Sequence, residues 1–248
     1  MIKVYGDIAP VDILAFGIHP DDVELSASGT VLRHIAEGYT VGICDLTRGE
    51  LGSRGTPETR HAEAIAASDI LGVDWRVNLG MPDGFAYETQ ERVLSIAEVI
   101  RLAQPKTILA NAIDDRHPDH PRGARLVREA HFFSGLTRIT SIKGKAHRAD
   151  HLYYYIQDKQ LMPDICVDVT PYVDKKMESI VAYKTQFYQG DESDKEGVQT
   201  PISGASFLEL LKAKMRVFGR YVNTDYACLL YTSPSPRDRT RSRMPSSA

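Results

Sequence analysis

Cysteine is scarce. Cys44, Cys166 and Cys228 are the only three in 248 residues, too few and too scattered for a disulfide framework or an all-cysteine zinc ribbon. Cys44 and Cys166 sit inside apolar, strand-like runs, where a thiol serves as a small buried hydrophobe; a reduced, cytoplasmic compartment is expected. No apolar run reaches the length of a membrane span, and the first residues lack the basic-then-apolar order of a signal peptide. Basic excess is missing as well. Lys and Arg number 30 against 33 Asp and Glu, a net charge of −3, which leaves no electrostatic footprint for nucleic acid. There is no internal repeat and no interdomain linker. No Gly-x-Gly-x-x-Gly follows the first strand-like run, which speaks against a dinucleotide. What remains is 42% hydrophobic and 25% charged, an ordinary globular composition in a chain long enough for one large α/β domain.

Strand-like and helix-like segments alternate along most of the chain. Asp12 to Ile18 reads as a buried strand and is followed by a helix reaching about Glu37, with Gly38 as its stop. Thr40 to Leu46 is a β-branched strand, followed by the Gly-rich, charged loop 47–55. Thr56 and Pro57 read as N-cap and first residue of a helix that ends at Gly72. Trp75 to Leu79 is a short strand closed by the turn Met81-Pro82-Asp83-Gly84. Glu91 to Leu102 carries Val93, Ile96, Ala97 and Ile100 at helical spacing. Thr107 to Asn111 is another strand, and Pro121 to about Phe133 a helix. Beyond Gly135 the pattern predicts strands at Leu152–Ile156 and Ile165–Val169 and helices at Tyr172–Tyr183 and Phe207–Phe218, with Tyr188–Gly204 as a polar loop over the site. Such alternation implies a mainly parallel sheet with helices on both faces. Ligands bind such sheets beyond the strand carboxyl ends, where strand order reverses. The stretches Cys228 to Asp238 and Ser242 to Ala248 read like a translated sequencing adapter with an index between them. Residues 1–227 are therefore expected to form the domain, and 228–248 a non-native tail.

Two strand ends carry the same chemistry. The first is Gly17-Ile18-His19-Pro20-Asp21-Asp22-Val23-Glu24, the second Asp114-Asp115-Arg116-His117-Pro118-Asp119-His120. One Asp after a strand is commonly a turn former, and one loop His a solvated side chain. Two His-Pro-Asp clusters at two strand ends have the composition of a divalent metal site with spare titratable groups. His19, Asp22 and His120 supply a two-His, one-Asp zinc set, which leaves Asp21 free as a general base. His117 is free to stabilise a developing oxyanion as an imidazolium, with Asp119 as the carboxylate that orients it. Glu24 suits either the charge at a helix N-terminus or a supporting role behind the ligands.

These two motifs resemble those of the LmbE/PIG-L-type zinc deacetylases, which remove acetyl groups from N-acetylglucosamine derivatives. The likeness runs from Asp12 to about Tyr226. It implies one Zn²⁺ on His19, Asp22 and His120, with Asp21 as general base, His117 as oxyanion-stabilising histidine and Asp119 beside it. The segments Thr47 to Gly55 and Gly80 to Gly84 are most similar to the bacillithiol-pathway branch, whose members deacetylate N-acetylglucosaminyl malate. By that resemblance Arg54 contacts substrate. Arg116 is a second candidate, since guanidinium groups bind carboxylates bidentately. Arg60, three residues before Glu63 on a helix, reads as an i,i+3 ion pair. Asp83 suits a sugar hydroxyl or a Pro-Asp-Gly turn equally. The expected molecule is a single Rossmann-like α/β domain with its metal at the strand carboxyl ends. It is expected to take a small N-acetylglucosaminide and to bind neither nucleic acid nor membrane. The resemblance also implies a homo-oligomer, commonly a hexamer. Deacetylation of another N-acyl sugar, such as a chitooligosaccharide or glycosylated antibiotic, is the nearest alternative; a two-metal phosphoesterase and a non-catalytic metal binder are further ones.

Overall fold

The sheet is built outward from two strands with no exposed residue. In the computed structural model, which describes residues 3–5, 7–190 and 198–232, β2 (Ile13–Gly17) and β3 (Val41–Thr47) are buried throughout, as a parallel sheet covered on both faces requires. Side chains of β2 alternate. Leu14 and Phe16 face a core shared with α4 (Gln90–Ala103) and α5 (Asp119–Ser134), while Ile13 and Ala15 face one shared with α2 (Ser28–Ala36).

Eight strands run in the order β1-β4-β3-β2-β5-β6-β8-β7, with β1 (Lys3–Tyr5), β4 (Trp75–Met81), β5 (Thr107–Ala110), β6 (His151–Tyr155), β7 (Ile165–Asp168) and β8 (Ala227–Thr232). β2 pairs in parallel with β3, Ile13 opposite Val41, and on its other side with β5, Ile13 opposite Thr107. The chain thus winds from β2 through β3 to β4 and crosses back to β5, so the strand order reverses between β2 and β5. β1 and β8 run antiparallel to their neighbours; the rest is parallel, as the alternation predicts. Gly42 belongs to this packing: a Cβ there would lie 2.4 Å from the Trp75 ring, so only glycine lets the indole lie on β3.

Helix boundaries follow local chemistry. α3 (Pro57–Leu71) starts at a capping box in which the Thr56 side chain accepts from Thr59 N–H, and ends at Gly72 with φ +77°, as its sequence signals indicate. The single helix expected to reach about Glu37 is instead two, α1 (Asp22–Ser26) and α2, separated at Ala27. Ser28 Oγ donates to the Glu24 carbonyl at 2.5 Å, and the buried Lys176 ammonium takes the carbonyls of Glu24 and Leu25 at 2.9 and 2.7 Å. Carbonyls drawn to those donors no longer continue the helix. Lys176 comes from α6 (Val173–Val181), and α7 (Ala205–Gly219) packs beside β8.

The junction expected near Ala227 falls on the first residue of β8. Cys228, Leu229, Leu230 and Tyr231 are buried between β6 and β7, and residues 233–248 lie outside the described residues. So do residues 191–197 of the expected loop over the site. Among the described residues no helix is long and apolar enough to cross a membrane.

Candidate active site and metal centre

The reversal between β2 and β5 brings the two His-Pro-Asp loops together. Ile18 N–H donates to Asn111 Oδ1 at 2.9 Å, and Thr47 holds the Ile18 carbonyl through its N–H and hydroxyl at 2.9 and 2.8 Å. The loop then turns at Asp21, whose φ of +108° lies in a region that non-glycine residues rarely occupy. Strain of this kind persists where surrounding contacts over-determine it.

Asp22 stands between the two outer histidines. Its Oδ1 is 3.2 Å from His120 Nε2 and its Oδ2 is 3.7 Å from His19 Nδ1. The ligand-capable atoms of His19, His117 and His120 lie within 4.8 Å of one another. Asn111 Nδ2 donates to Asp22 Oδ2 at 3.0 Å, and Gln157 Nε2 to Asp22 Oδ1 at 2.9 Å. Gln157 is itself held by Asn111 Nδ2 and Ala112 N–H, at 3.0 and 3.1 Å.

Each outer histidine is gripped by carboxylates on its far nitrogen. His19 Nε2 lies 3.1 Å from Asp83 Oδ1 and 3.3 Å from Asp119 Oδ2, and His120 Nδ1 bonds the Asp115 carboxylate. This is how metal-ligating imidazoles are oriented. The electrostatics agree. Burial works to lower the pKa of His19, yet hydrogen bonds from Asp119 and Asp83 and the Asp22 charge push it up to about 10. Burial opposes and Asp22 and Asp115 push His120 up to about 9. Two imidazoles and a carboxylate, in surroundings that demand positive charge, fit a zinc ion with three protein ligands.

Asp21 is not a ligand in this arrangement. Burial raises its pKa, and Arg60 opposes the rise. Arg60 is where the helix reading fails. Its Nη2 donates to Asp21 Oδ2 at 2.7 Å and to the Pro20 carbonyl at 2.6 Å, and its Nη1 to the Gly49 carbonyl at 3.3 Å. Glu63 bonds Thr185 N–H and Oγ1 instead, at 2.7 and 2.9 Å. Both carboxylates are buried and each finds its own partner, as desolvated charges must. Gly49, at φ +67°, gives way to the guanidinium; a Cβ there would sit 2.1 Å from Arg60 Nη1.

Asp119 also departs from expectation. Its carboxylate takes His19 Nε2, Gly84 N–H at 2.9 Å and the Arg122 guanidinium at 2.5 Å, and no hydrogen bond joins it to His117. Its backbone N–H makes that link, donating to His117 Nδ1 at 3.3 Å. Helical geometry explains the difference: Asp119 opens α5, so its side chain points back across the site while its free N–H faces His117. Burial, then the charges of His19 and His120, lower the His117 pKa.

Arg116 and Arg54 separate. Arg116 lines the cavity and pairs with Asp158. Arg54 is absent from that wall; its carbonyl accepts from Gln186 Nε2 at 2.7 Å, and its buried Nη1 has no hydrogen-bond partner among the described residues. Asp83 is drawn inward by His19 and also accepts from Leu51 N–H at 3.0 Å, which ties loop 47–55 to the histidine cluster. Glu24 is fully buried but reaches none of the three ligands. It meets Arg76 at 2.6 Å and Tyr183 at 3.3 Å. The whole constellation opens on a cavity of about 470 Å³.

A family model described as "PIG-L: GlcNAc-PI de-N-acetylase" matches residues 14–131, which span both His-Pro-Asp loops. The crystal structure of the conserved protein TT1542 from Thermus thermophilus superposes with a TM-score of 0.80 at 36% identity, over 96% of this chain and 99% of that one. The chain belongs to the PIG-L family. Curated relatives of this PIG-L chain include the uncharacterized deacetylase YaiS of Escherichia coli K12, 29% identical over 44% of this chain and 61% of YaiS. Another is the 4-oxalmesaconate hydratase of Pseudomonas putida KT2440, 25% identical over 67% of this chain and 70% of the hydratase. The chain thus spans less than two thirds of YaiS's own length.

Several residues that shape this PIG-L site escaped the sequence reading. Asp115 lies inside the second cluster, five residues before His120 (i,i+5), and its position beside a ligand was the available signal. Asn111 ends the apolar strand that delivers the cluster. Gln157 follows β6, which carries no motif, and only the sheet order puts it beside Asp22.

Proposed function

We propose that this PIG-L chain is a zinc-dependent deacetylase that removes the N-acetyl group from an N-acetylglucosamine conjugate, with N-acetylglucosaminyl L-malate of bacillithiol biosynthesis as the specific candidate. The observation that carries the reading is Asp21: a buried carboxylate of raised pKa, held by Arg60 next to, but outside, a two-His, one-Asp ligand set. A site that only bound metal would not need it.

Zinc held by His19, Asp22 and His120 would supply a Lewis acid that polarises the acetamide carbonyl and eases water ionisation near neutral pH. Asp21 accepts the proton of the attacking water at its carboxylate, a task suited by a pKa above the usual carboxylate range. Arg60 fixes the rotamer that makes this possible. His117, with Nδ1 accepting from Asp119 N–H, carries its proton on Nε2 and donates from there to the oxygen that gains charge. Asp21 then returns its proton to the departing amine, and acetate and a free glucosamine leave. Arg116 on the cavity wall is the guanidinium for a malate carboxylate, with Arg54 as the second candidate. A cytoplasmic homo-oligomer acting on this small molecule completes the proposal.

The test compares acetate release from N-acetylglucosaminyl malate and from plain N-acetylglucosamine. A preference of roughly tenfold or more for the conjugate supports an anionic aglycone, each tenfold being worth about 1.4 kcal/mol of charge-assisted hydrogen bonding. Equal rates reject the malate assignment in favour of another N-acyl sugar. The hydratase relative supports a second reading, addition of water to a carbon–carbon double bond by the same water-activating groups. Loss of ultraviolet absorbance from an unsaturated dicarboxylate, with no acetate released from any sugar, favours it.

A further inference from the structure

The cavity has two unlike halves, one on each side of the strand reversal. On the β3–β4 side it is walled by Ser53, Asp83 and Gly84, polar side chain and backbone suited to sugar hydroxyls. On the β6–β8 side it continues past the histidines into a chamber walled by Ile156, Phe207, Leu211, Met215 and Phe218. Two lysines border this second half, and both ammonium groups are engaged by the protein. Lys176 Nζ donates to the carbonyls of Glu24 and Leu25 and to Ser28 Oγ, at 2.9, 2.7 and 3.2 Å. Lys214 Nζ donates to the Asp158 carbonyl at 2.7 Å. Against this apolar wall an alkyl chain gains the transfer free energy of each methylene buried.

We infer that the chamber between Ile156 and α7 is an acyl-chain site, and that this chain hydrolyses N-acyl glucosamines with acyl groups longer than acetyl. The inference rests on the deacylase reading above. Its geometry comes from the amide itself. With the carbonyl carbon at the histidine cluster, the nitrogen substituent and the acyl substituent must point in opposite directions. The sugar needs the polar half, so the acyl chain takes the apolar one. The chemistry is unchanged: water adds its oxygen to the carbonyl carbon, the C–N bond breaks, the nitrogen leaves with a proton as an amine, and the fatty acid departs as its carboxylate. A cavity of about 470 Å³ is of the size that holds a whole small-molecule ligand, sugar and acyl chain together.

The experiment uses the full zinc-loaded chain and a series of N-acetyl-, N-butyryl- and N-hexanoyl-glucosamine, with the released amine quantified. In the wild type, kcat/KM is expected to hold or rise along the series, by up to roughly fourfold per methylene buried. Leu211→Trp fills the chamber away from the histidines and is expected to lower the hexanoyl-to-acetyl ratio of kcat/KM by about tenfold or more. Leu211→Ala enlarges it and moves that ratio the other way, which keeps the test sound if the tryptophan variant does not fold. Hydrolysis of the acetyl compound with hexanoyl slower by about a hundredfold overturns the acyl site and leaves the deacetylase reading standing. So does a ratio unmoved in both variants. No amine from any member, acetyl included, overturns the deacylase reading, and the acyl site falls with it.

Discussion

Replacing Arg76 by Met leaves two carboxylates stranded in the interior. The Arg76 side chain is 4% exposed; its Nε and Nη2 reach both oxygens of Asp45 at 2.7 and 2.8 Å, and its Nη1 reaches Glu24 Oε1 at 2.6 Å. Both carboxylates are buried, and Glu24 Oε2 has no hydrogen-bond partner among the described residues. Methionine matches the arginine stem in volume, so the effect is one of charge. Removing one partner of a buried pair costs about 3–5 kcal/mol, a fall of roughly 6–20 °C in Tm for a chain of this length. Burial already raises the Asp45 pKa, with Arg76 as the main opposing influence, so the variant raises it further. An acid with a raised folded pKa destabilises above its unfolded value, and the penalty shrinks as pH falls through the folded one. The loss should therefore be larger at pH 8 than at pH 5. Urea unfolding at both values, followed by circular dichroism and by the fluorescence of Trp75, the only tryptophan, measures it and checks two-state behaviour. A loss below about 1 kcal/mol at pH 8, or one that grows towards pH 5, would refute the reasoning. Adding Asp45→Asn should recover part of the stability, because it removes one of the stranded charges.

Arg60→Gln should lower kcat by about tenfold to a hundredfold with zinc retained, since Asp21 loses the group that aims it; unchanged kcat contradicts the Arg60–Asp21 assignment. Asp115→Asn should weaken zinc binding by about 10- to 100-fold in a chelator competition, because His120 loses its orienting carboxylate; unaltered affinity rejects that role. Without metal, His19 and His120 are pushed up to about 10 and about 9 from an ordinary 6.5. The stability they contribute is complete below 6.5 and lost as pH rises through 9 to 10. The urea midpoint of chelated protein should fall across that range in the wild type and fall less in His19→Gln; equal slopes would contradict it.

The parts of this molecule legible in its sequence are those set by local chemistry. A fully apolar run ending in Gly17 predicts β2, Thr56-Pro57 and Gly72 bracket α3, and the two His-Pro-Asp motifs point to strand carboxyl ends. What escaped depends on which elements meet in space. Arg60 has Glu63 within helical reach, and only the docking of α3 under loop 18–22 reveals the stronger claim of Asp21. Asp119 lies between His117 and His120 in the chain, but opening a helix sends its carboxylate to His19. Lys176 lies far along the chain from the helix it interrupts at Ala27, and Gln157 acquires meaning only from β6 lying next to β5.

The most direct test measures zinc content and acetate release together in the wild type, Asp21→Asn and His120→Ala, on N-acetylglucosaminyl malate and on N-acetylglucosamine. Asp21→Asn should retain the wild-type zinc content while turnover falls by about 10²- to 10⁴-fold, the contribution of a general base. His120→Ala should lose both. An Asp21→Asn variant with full turnover, or a His120→Ala variant that keeps its zinc, would contradict the account at its centre.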